Sequence, residues 1–368
     1  MSDSGFKPKV CIIVNHENTI LLFRKELIEA LARENYDVTV LLPFFCEKTK
    51  VEALGAKVIS YDLSQHGTSI KQEIQSIRSI RKLLASIRPD IVLTYTIKPN
   101  LYGGAICRFR KIPYIATITG MGSGFERSSL VSDVLAQLIR FSLKRAKKVI
   151  FQNEPTRQFF TPKYIREEQS ILVNGSGVDL NANPFEEYPD NSIPELLFAG
   201  RIMEEKGIRE LVQSVLEINK EEQKLHLTFL GPVEKDCEEL VASVTGNQSF
   251  SFEGMKTQSE VHEYTKTCDA VIIPSYHEGM CNSLLEAASS GRPVITTDIP
   301  GCRETFDENQ SGIGCKPRNK DSLKEAIQRF INLDKEQRKQ MGKNARRKME
   351  REFDRTKIIQ QYIDLIKS

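Results

Sequence analysis

Two short stretches of the chain carry residue types at spacings suited to holding a charged, hydroxyl-rich ligand. The first is Ile273-Pro-Ser-Tyr-His-Glu-Gly-Met-Cys-Asn-Ser-Leu-Leu-Glu-Ala287. A strand is expected to end at Ile273, and a helix to begin near Cys281-Asn282. Glu278 then lies in the turn before that helix and Glu286 one turn inside it. Gly279 permits a tight turn and close backbone approach. The helix start offers free N–H groups and partial positive charge, which suit a phosphate. Two carboxylates flanking such a start can grip sugar hydroxyls on either side of a diphosphate. The plainer alternative makes Glu278 a residue that complements the helix dipole and Glu286 a surface residue.

The second stretch is Phe198-Ala-Gly200-Arg201-Ile-Met-Glu-Glu-Lys206-Gly207. Here too a strand runs through a loop into a helix, and Arg201 and Lys206 fall at the strand's carboxyl end. An Arg binds phosphate through two parallel hydrogen bonds, a Lys as a point charge. The plainer alternative is two exposed cations paired with Glu204 and Glu205, worth about 0–1 kcal/mol each. That alternative weakens when both motifs occur at matching topological places in one half of the chain.

Positioning such residues takes a parallel sheet, and the hydropathy pattern predicts two of them. In the first half, Val10–Val14, Asp37–Leu42, Lys57–Ser60, Ile91–Leu93, Tyr114–Ile118, Val149–Phe151 and Ile171–Val173 read as strands. Helical stretches separate them: Thr19–Arg33 is read as one helix, and Ile70, Ile74, Ile77, Ile80, Leu83, Leu84 and Ile87 recur at helical spacing. A polar, Pro-rich interval, Asn181–Pro194, reads as a linker. The pattern then restarts with strands at Leu196–Ala199, Leu225–Leu230, Ser251–Phe252, Ala270–Ile273 and Pro293–Thr296. Lys335–Ser368 reads as two helices broken near Phe353-Asp354. A length of 368 residues fits two domains at about 100–200 residues each. The expected boundaries are 1–190 for one Rossmann-like domain and 191–350 for a second, which holds both of the stretches above. A terminal helix, 351–368, is expected to return to the first domain. Two doubly wound α/β domains facing a cleft are implied, with ligands at the carboxyl ends of the strands.

Composition excludes several classes. With 21 Gly and 15 Pro the chain is neither collagen-like nor of low complexity. No apolar run approaches the ~18–20 residues of a membrane span, and the first residues lack the apolar core of a secretory signal. Eight cysteines include no C-x-x-C pair, which points to a reducing, cytoplasmic setting. Asp-x-Asp is absent. His262-Glu263 and His277-Glu278 lack a second His at metalloprotease spacing, and no phosphate loop or dinucleotide fingerprint occurs. No metal is therefore expected.

The net charge of +3 hides an asymmetry: residues 70–166 hold 18 basic and 5 acidic residues. Such a basic face is a solvated surface, or it meets an anionic membrane, nucleic acid or anionic substrate. Nucleic acid is disfavoured, since no aromatic–basic binding motif appears. Arg140, Lys144, Arg145, Lys147 and Lys148 carry much of the charge. The neighbouring Val131, Val134, Leu135, Leu138, Ile139 and Leu143 face either core or bilayer, core being the expectation.

The combination resembles glycosyltransferase family 4, retaining enzymes of the GT-B fold. The marks are an E-x7-E pair, Glu278 and Glu286, and an R-x4-K pair, Arg201 and Lys206. Supporting segments are Tyr95–Gly104, Ile115–Gly124 and Asp298–Glu304. The first two look like the branch that builds capsule, O-antigen and lipid-linked glycans, including undecaprenyl-diphosphate-linked N-acetylhexosamine extenders. The resemblance implies that Gly200, Arg201 and Lys206 hold the diphosphate of a nucleotide-sugar donor, expected to be a UDP-sugar. It implies Glu286 on the ribose, Glu278 on the donor sugar, and amides near Gly279, Met280, Cys281 and Asn282 on the distal phosphate and sugar. Gly254 and Met255 would lie beside the base. Transfer would go to a lipid-diphosphate-linked or glycan acceptor, with no cofactor required, at the inner face of the cytoplasmic membrane. Two departures stand out: Asn15-His16-Glu17-Asn18 replaces a common Gly-Gly pair, and Thr117-Ile-Thr119-Gly120 replaces a common His. His16, Lys98, Thr119, Gly120 and Gly122 are the acceptor-side candidates. The competing readings are a GT-B sugar-nucleotide epimerase and a non-catalytic scaffold of a glycan-assembly complex.

Overall fold

A computed structural model describes residues 7–43, 48–63, 70–120 and 130–368. The chain divides into two compact units, one formed by residues 1–176 with 357–368 and the other by 177–356. Among the described residues the first unit carries seven strands: β1 (Lys9–Ile13), β2 (Asp37–Pro43), β3 (Lys57–Tyr61), β4 (Ile91–Tyr95), β5 (Tyr114–Ile118), β6 (Lys148–Phe151) and β7 (Ser170–Leu172). The second carries β8 (Glu195–Ala199), β9 (His226–Leu230), β10 (Phe250–Phe252), β11 (Ala270–Ile273), β12 (Val294–Thr297) and β13 (Gly312–Cys315).

The order is β3-β2-β1-β4-β5-β6-β7 in one sheet and β10-β9-β8-β11-β12-β13 in the other. The paired strands are parallel throughout; Val10, for example, aligns with Val38 on one side and Ile91 on the other. Val10, Cys11, Ile12 and Ile13 are fully buried, as strands covered by helices on both faces must be. Each sheet reverses its winding once, between β1 and β4 and between β8 and β11. Those are the points where open α/β sheets bind ligands.

Several sequence expectations needed correction. The helix expected over Thr19–Arg33 is two, Glu17–Leu21 and Lys25–Arg33. Arg24 breaks it because its side chain is drawn inward. It donates to Ser176 Oγ at 2.7 Å and lies over the Tyr95 and Tyr362 rings at 4.7 and 5.2 Å.

The boundary expected at 190/191 falls at 176/177. The Pro-rich interval reads as a linker, yet its backbone is claimed by the second unit. Arg292, fully buried, donates to the carbonyls of Glu186 and Glu187 as well as Thr265, Lys266, Ser290 and Gly291. Val178 packs with Met280, Leu285 and Phe353.

At the other end, the expected change at 350/351 comes at 356/357. The helices Lys335–Lys348 and Arg355–Lys367 are separated by a wide turn at Met349–Phe353. Backbone bonds from Val178 N to Phe353 O (2.8 Å) and Arg355 N to Val178 O (3.1 Å) fix that turn. Ile358, Tyr362, Ile363 and Ile366 join the core built on β1 and β2. Strand β13 has a weak sequence signal because Gly312 and Gly314 dilute its apolar run. A Cβ on Gly312 would sit 2.6 Å from Val294 O, so the glycine is what lets the edge strand close on β12.

Candidate active site

The donor-side candidates all lie in the second unit, in the segments that follow β8, β10 and β11. Two loops are locked together there. Gly207 adopts φ +69°, and a Cβ on it would meet Pro274 O at 2.3 Å. Tyr276 N donates to Glu205 O at 2.8 Å. The loop after β8 is thereby held against the loop after β11, and Lys206 Nζ bonds Glu278 Oε1. Ser275, fully buried, donates its hydroxyl to the same carboxylate oxygen at 2.7 Å. Glu278 is 14% exposed and Lys206 22%.

Burial by itself lowers the Lys206 ammonium. The Glu278 charge and hydrogen bond outweigh it, so the net shift is upward and Lys206 stays protonated. The surface pairs of the plainer alternative, with Glu204 and Glu205, are not what forms: Lys206 pairs with Glu278. Arg201 is 61% exposed and approaches Glu234 at 3.6 Å. Gly200 is the closest neighbour of the loop after β9, since a Cβ on Gly231 would lie 1.9 Å from Gly200 O.

Beyond Glu278 the helix Asn282–Ser289 starts at a Cys281 cap. It is positioned from below by Gly301, whose φ is +85° and whose Cβ would strike Gly279 O at 2.6 Å. Cys281 N donates to Gly301 O at 2.9 Å. That amide is therefore occupied, which corrects its expected place among the phosphate donors. The amides of Asn282 and Ser283 head the helix without intrahelical acceptors. Met280 and Cys281 are buried side chains that wall the turn.

Glu286 is not the surface residue of the plainer alternative. It is only partly exposed. Burial pushes its carboxyl up to about 7, against a smaller downward pull from Arg355. A carboxyl whose folded pKa exceeds the unfolded value binds extra protons when folded, so folding gains below the unfolded pKa and loses that gain as pH rises. Relative to the parent, Glu286→Gln is expected to gain stability steadily from about pH 4.5 to about 7 and to hold that gain above. Urea midpoints of both proteins across that range check it; a difference flat with pH contradicts it. Gly254, at φ +68° with open space around its Cα, accepts a bond from Gly231 N through its carbonyl at 2.8 Å. Met255 beside it is 78% exposed.

The acceptor-side candidates lie in the first unit, after β1, β4 and β5. His16 caps the helix Glu17–Leu21, its Nδ1 accepting from Asn18 N at 3.1 Å. Lys98 pairs with Glu73 at 2.8 Å, and Glu73 also takes the Tyr102 hydroxyl. Thr119 and Gly120 follow β5 and are half-buried. Gly122 lies outside the described residues. Sequence reasoning missed Ser275 and Arg355. Ser275 stood in the quoted stretch, but its bond to Glu278 needed the turn geometry; Arg355 is remote in sequence and had no signal. Among the described residues no group of three or more His, Cys, Asp or Glu is placed to hold a metal ion.

Two doubly wound sheets, with a cation–carboxylate pair over the switch point of the second, define the GT-B class of glycosyltransferase. A family model described as "Glycosyl transferases group 1" matches residues 182–348, and "Glycosyl transferase 4-like" matches 9–153. One match falls on each unit, and the chain belongs to this glycosyltransferase family as a hexosyltransferase-type enzyme. Over 366 residues it is 27% identical to the N,N'-diacetylbacillosaminyl-diphospho-undecaprenol alpha-1,3-N-acetylgalactosaminyltransferase of Campylobacter jejuni, covering 94% of this chain and 95% of that one. The capsular polysaccharide glycosyltransferase CapM of Staphylococcus aureus is 25% identical, at 94% and 93% coverage. Among solved structures, sucrose-phosphate synthase from Thermosynechococcus elongatus superposes with a TM-score of 0.80 at 18% identity, covering 98% of each chain. Anabaena HepE, solved with UDP and glucose, gives 0.78 at 16% identity, covering 98% of this chain and 99% of that one.

Proposed function

We propose that the protein moves an N-acetylhexosamine or hexose from a UDP-sugar to a lipid-diphosphate-linked or surface-glycan acceptor, with retention of configuration. The observation that carries the reading is the Lys206–Glu278 pair, locked at the β8/β11 switch point beside a helix start. Lys206 and Arg201 neutralise the donor diphosphate, joined by the helix-start amides. Glu286 receives ribose hydroxyls and Glu278 a hydroxyl of the donor sugar. Gly254 and Met255 flank the base. The bond from the anomeric carbon to the diphosphate oxygen breaks as the acceptor oxygen bonds the same face. The departing diphosphate takes the acceptor proton. The protein's share is stabilisation of leaving-group charge and positioning of both partners. His16, Lys98, Thr119 and Gly120 frame the acceptor side, with Lys98 steadied by Glu73. The lipid-linked acceptor is supported by the relative that acts on a diphospho-undecaprenol substrate, and UDP by the HepE complex.

A thermal-shift screen of nucleotide sugars tests the donor. A donor at 100 times its Kd adds about 2.7 kcal/mol of stability, and UDP-hexoses or UDP-N-acetylhexosamines are expected to do so. No shift with any nucleotide sugar contradicts the reading. Lys206, Arg201 and the helix start supply positive charge without a metal, so transfer is expected to continue in excess chelator. Activity lost in chelator and restored by Mg²⁺ or Mn²⁺ overturns that expectation.

A further inference from the structure

The first unit exposes an apolar cluster that neither the site nor the core uses. Helices Ile97–Arg110 and Leu130–Leu143 pack side by side and end together. At those ends Phe109 is 76% exposed, Leu138 52% and Phe141 36%. The two rings are 5.5 Å apart. Arg108 lies over the Phe141 ring at 4.0 Å and donates to Phe141 O at 2.6 Å. Arg110, Lys111, Arg140, Lys144 and Arg145 are exposed around them. Residues 97–112 and 135–148 contain no Asp or Glu. Of the apolar residues read as core or bilayer-facing from sequence, Ile139 and Leu143 are buried and Leu135 packs against the core, while Leu138 points outward. Val131 and Val134 lie outside the described side chains.

Cations at helix C-termini complement the helix dipole. That accounts for some of the charge but not for two phenyl rings held in water among it. Monomeric soluble proteins seldom leave a contiguous apolar cluster exposed without a use. Aromatic and aliphatic side chains ringed by Lys and Arg, with no acid among them, are the composition of a surface lying in a lipid headgroup layer. No described helix is long and apolar enough to cross a membrane, so contact at the surface is the form association takes.

We propose that this face docks on an anionic lipid bilayer, with Phe109, Leu138 and Phe141 entering the headgroup boundary and Arg110, Lys111, Arg140, Lys144 and Arg145 meeting lipid phosphates. Its purpose, though not its physical basis, rests on the lipid-linked acceptor proposed above. The apolar anchor and the charge ring predict different salt responses. Attraction by the ring is screened over about 8 Å at physiological salt, whereas ring insertion is not.

The test is flotation of the full chain with vesicles of phosphatidylglycerol and phosphatidylcholine, against phosphatidylcholine alone. The parent is expected to float only with the anionic vesicles, and less as salt rises. Phe109→Ser with Phe141→Ser is expected to lower partitioning about tenfold or more at every salt. Arg140→Glu, Lys144→Glu and Arg145→Glu together abolish it at low salt. Each variant keeps the parent's thermal shift with the donor. Should the double Phe variant unfold early, Phe109→Ser alone, at the more exposed position, is expected to give part of the loss with unchanged melting. Absence of flotation at low salt overturns the proposal. So does flotation indifferent to both sets of variants, or a role for the rings only in self-association or in binding RNA. Flotation with no transfer to a lipid-linked acceptor leaves docking standing and removes the acceptor reading; transfer without flotation does the reverse.

Discussion

Glu278→Gln is expected to lower transfer about 10²–10³-fold while the protein stays folded and keeps most of its donor affinity. The carboxylate is fixed by Ser275 Oγ at 2.7 Å and by Lys206, so its direction is set before any substrate arrives. A preorganised charged group acting on the sugar as positive charge develops at its anomeric carbon is worth about 2.7–4 kcal/mol in such a site. Gln retains the shape and the Ser275 contact but not the charge. Steady-state transfer with saturating donor, together with circular dichroism and thermal melting, makes the measurement. Near-parental turnover would remove Glu278 from the chemistry.

Lys206→Ala is expected to act on binding more than on turnover. The ammonium is less exposed than the Arg201 guanidinium, and Glu278 and partial burial determine its state. Removing it leaves the Glu278 carboxylate facing an anionic diphosphate without compensation. A hydrogen bond to a charged group contributes about 1.5–3 kcal/mol, so UDP affinity should fall about 10–150-fold. Arg201, largely in solvent, should cost less when replaced by Ala. Calorimetric titration of UDP into both variants checks the order. Equal and unchanged affinities would contradict the assignment of both cations.

Much of the fold, and the two stretches that form the donor side, are legible in the sequence for a physical reason. Strands buried on both faces leave uninterrupted apolar runs, and Val10–Ile13 or Ala270–Ile273 can be read directly. Glu278 and Glu286 stood out because a strand, a turn with Gly279 and a helix start fall in order within fifteen residues. What failed depended on tertiary context. Arg24 gives no local signal that it will break a helix, because its partners Ser176 and Tyr362 are far along the chain. The Asn181–Pro194 interval has the composition of a linker, and only buried Arg292 turns its carbonyls into part of the second unit. The pairing of Lys206 with Glu278 rather than with Glu204 or Glu205 follows from Gly207 and Pro274 closing two loops together. The raised Glu286 carboxyl follows from its burial, which outweighs the downward pull of Arg355.

The central claim is retaining transfer from a UDP-sugar. The most direct measurement incubates the full chain with UDP-N-acetylglucosamine or UDP-N-acetylgalactosamine and an undecaprenyl-diphosphate-linked acceptor, then determines the anomeric configuration of the product by NMR. The account predicts one UDP released per glycosidic bond formed and an α-linked product from the α-configured donor. A β-linked product, or a changed sugar nucleotide with no new glycosidic bond, would contradict it.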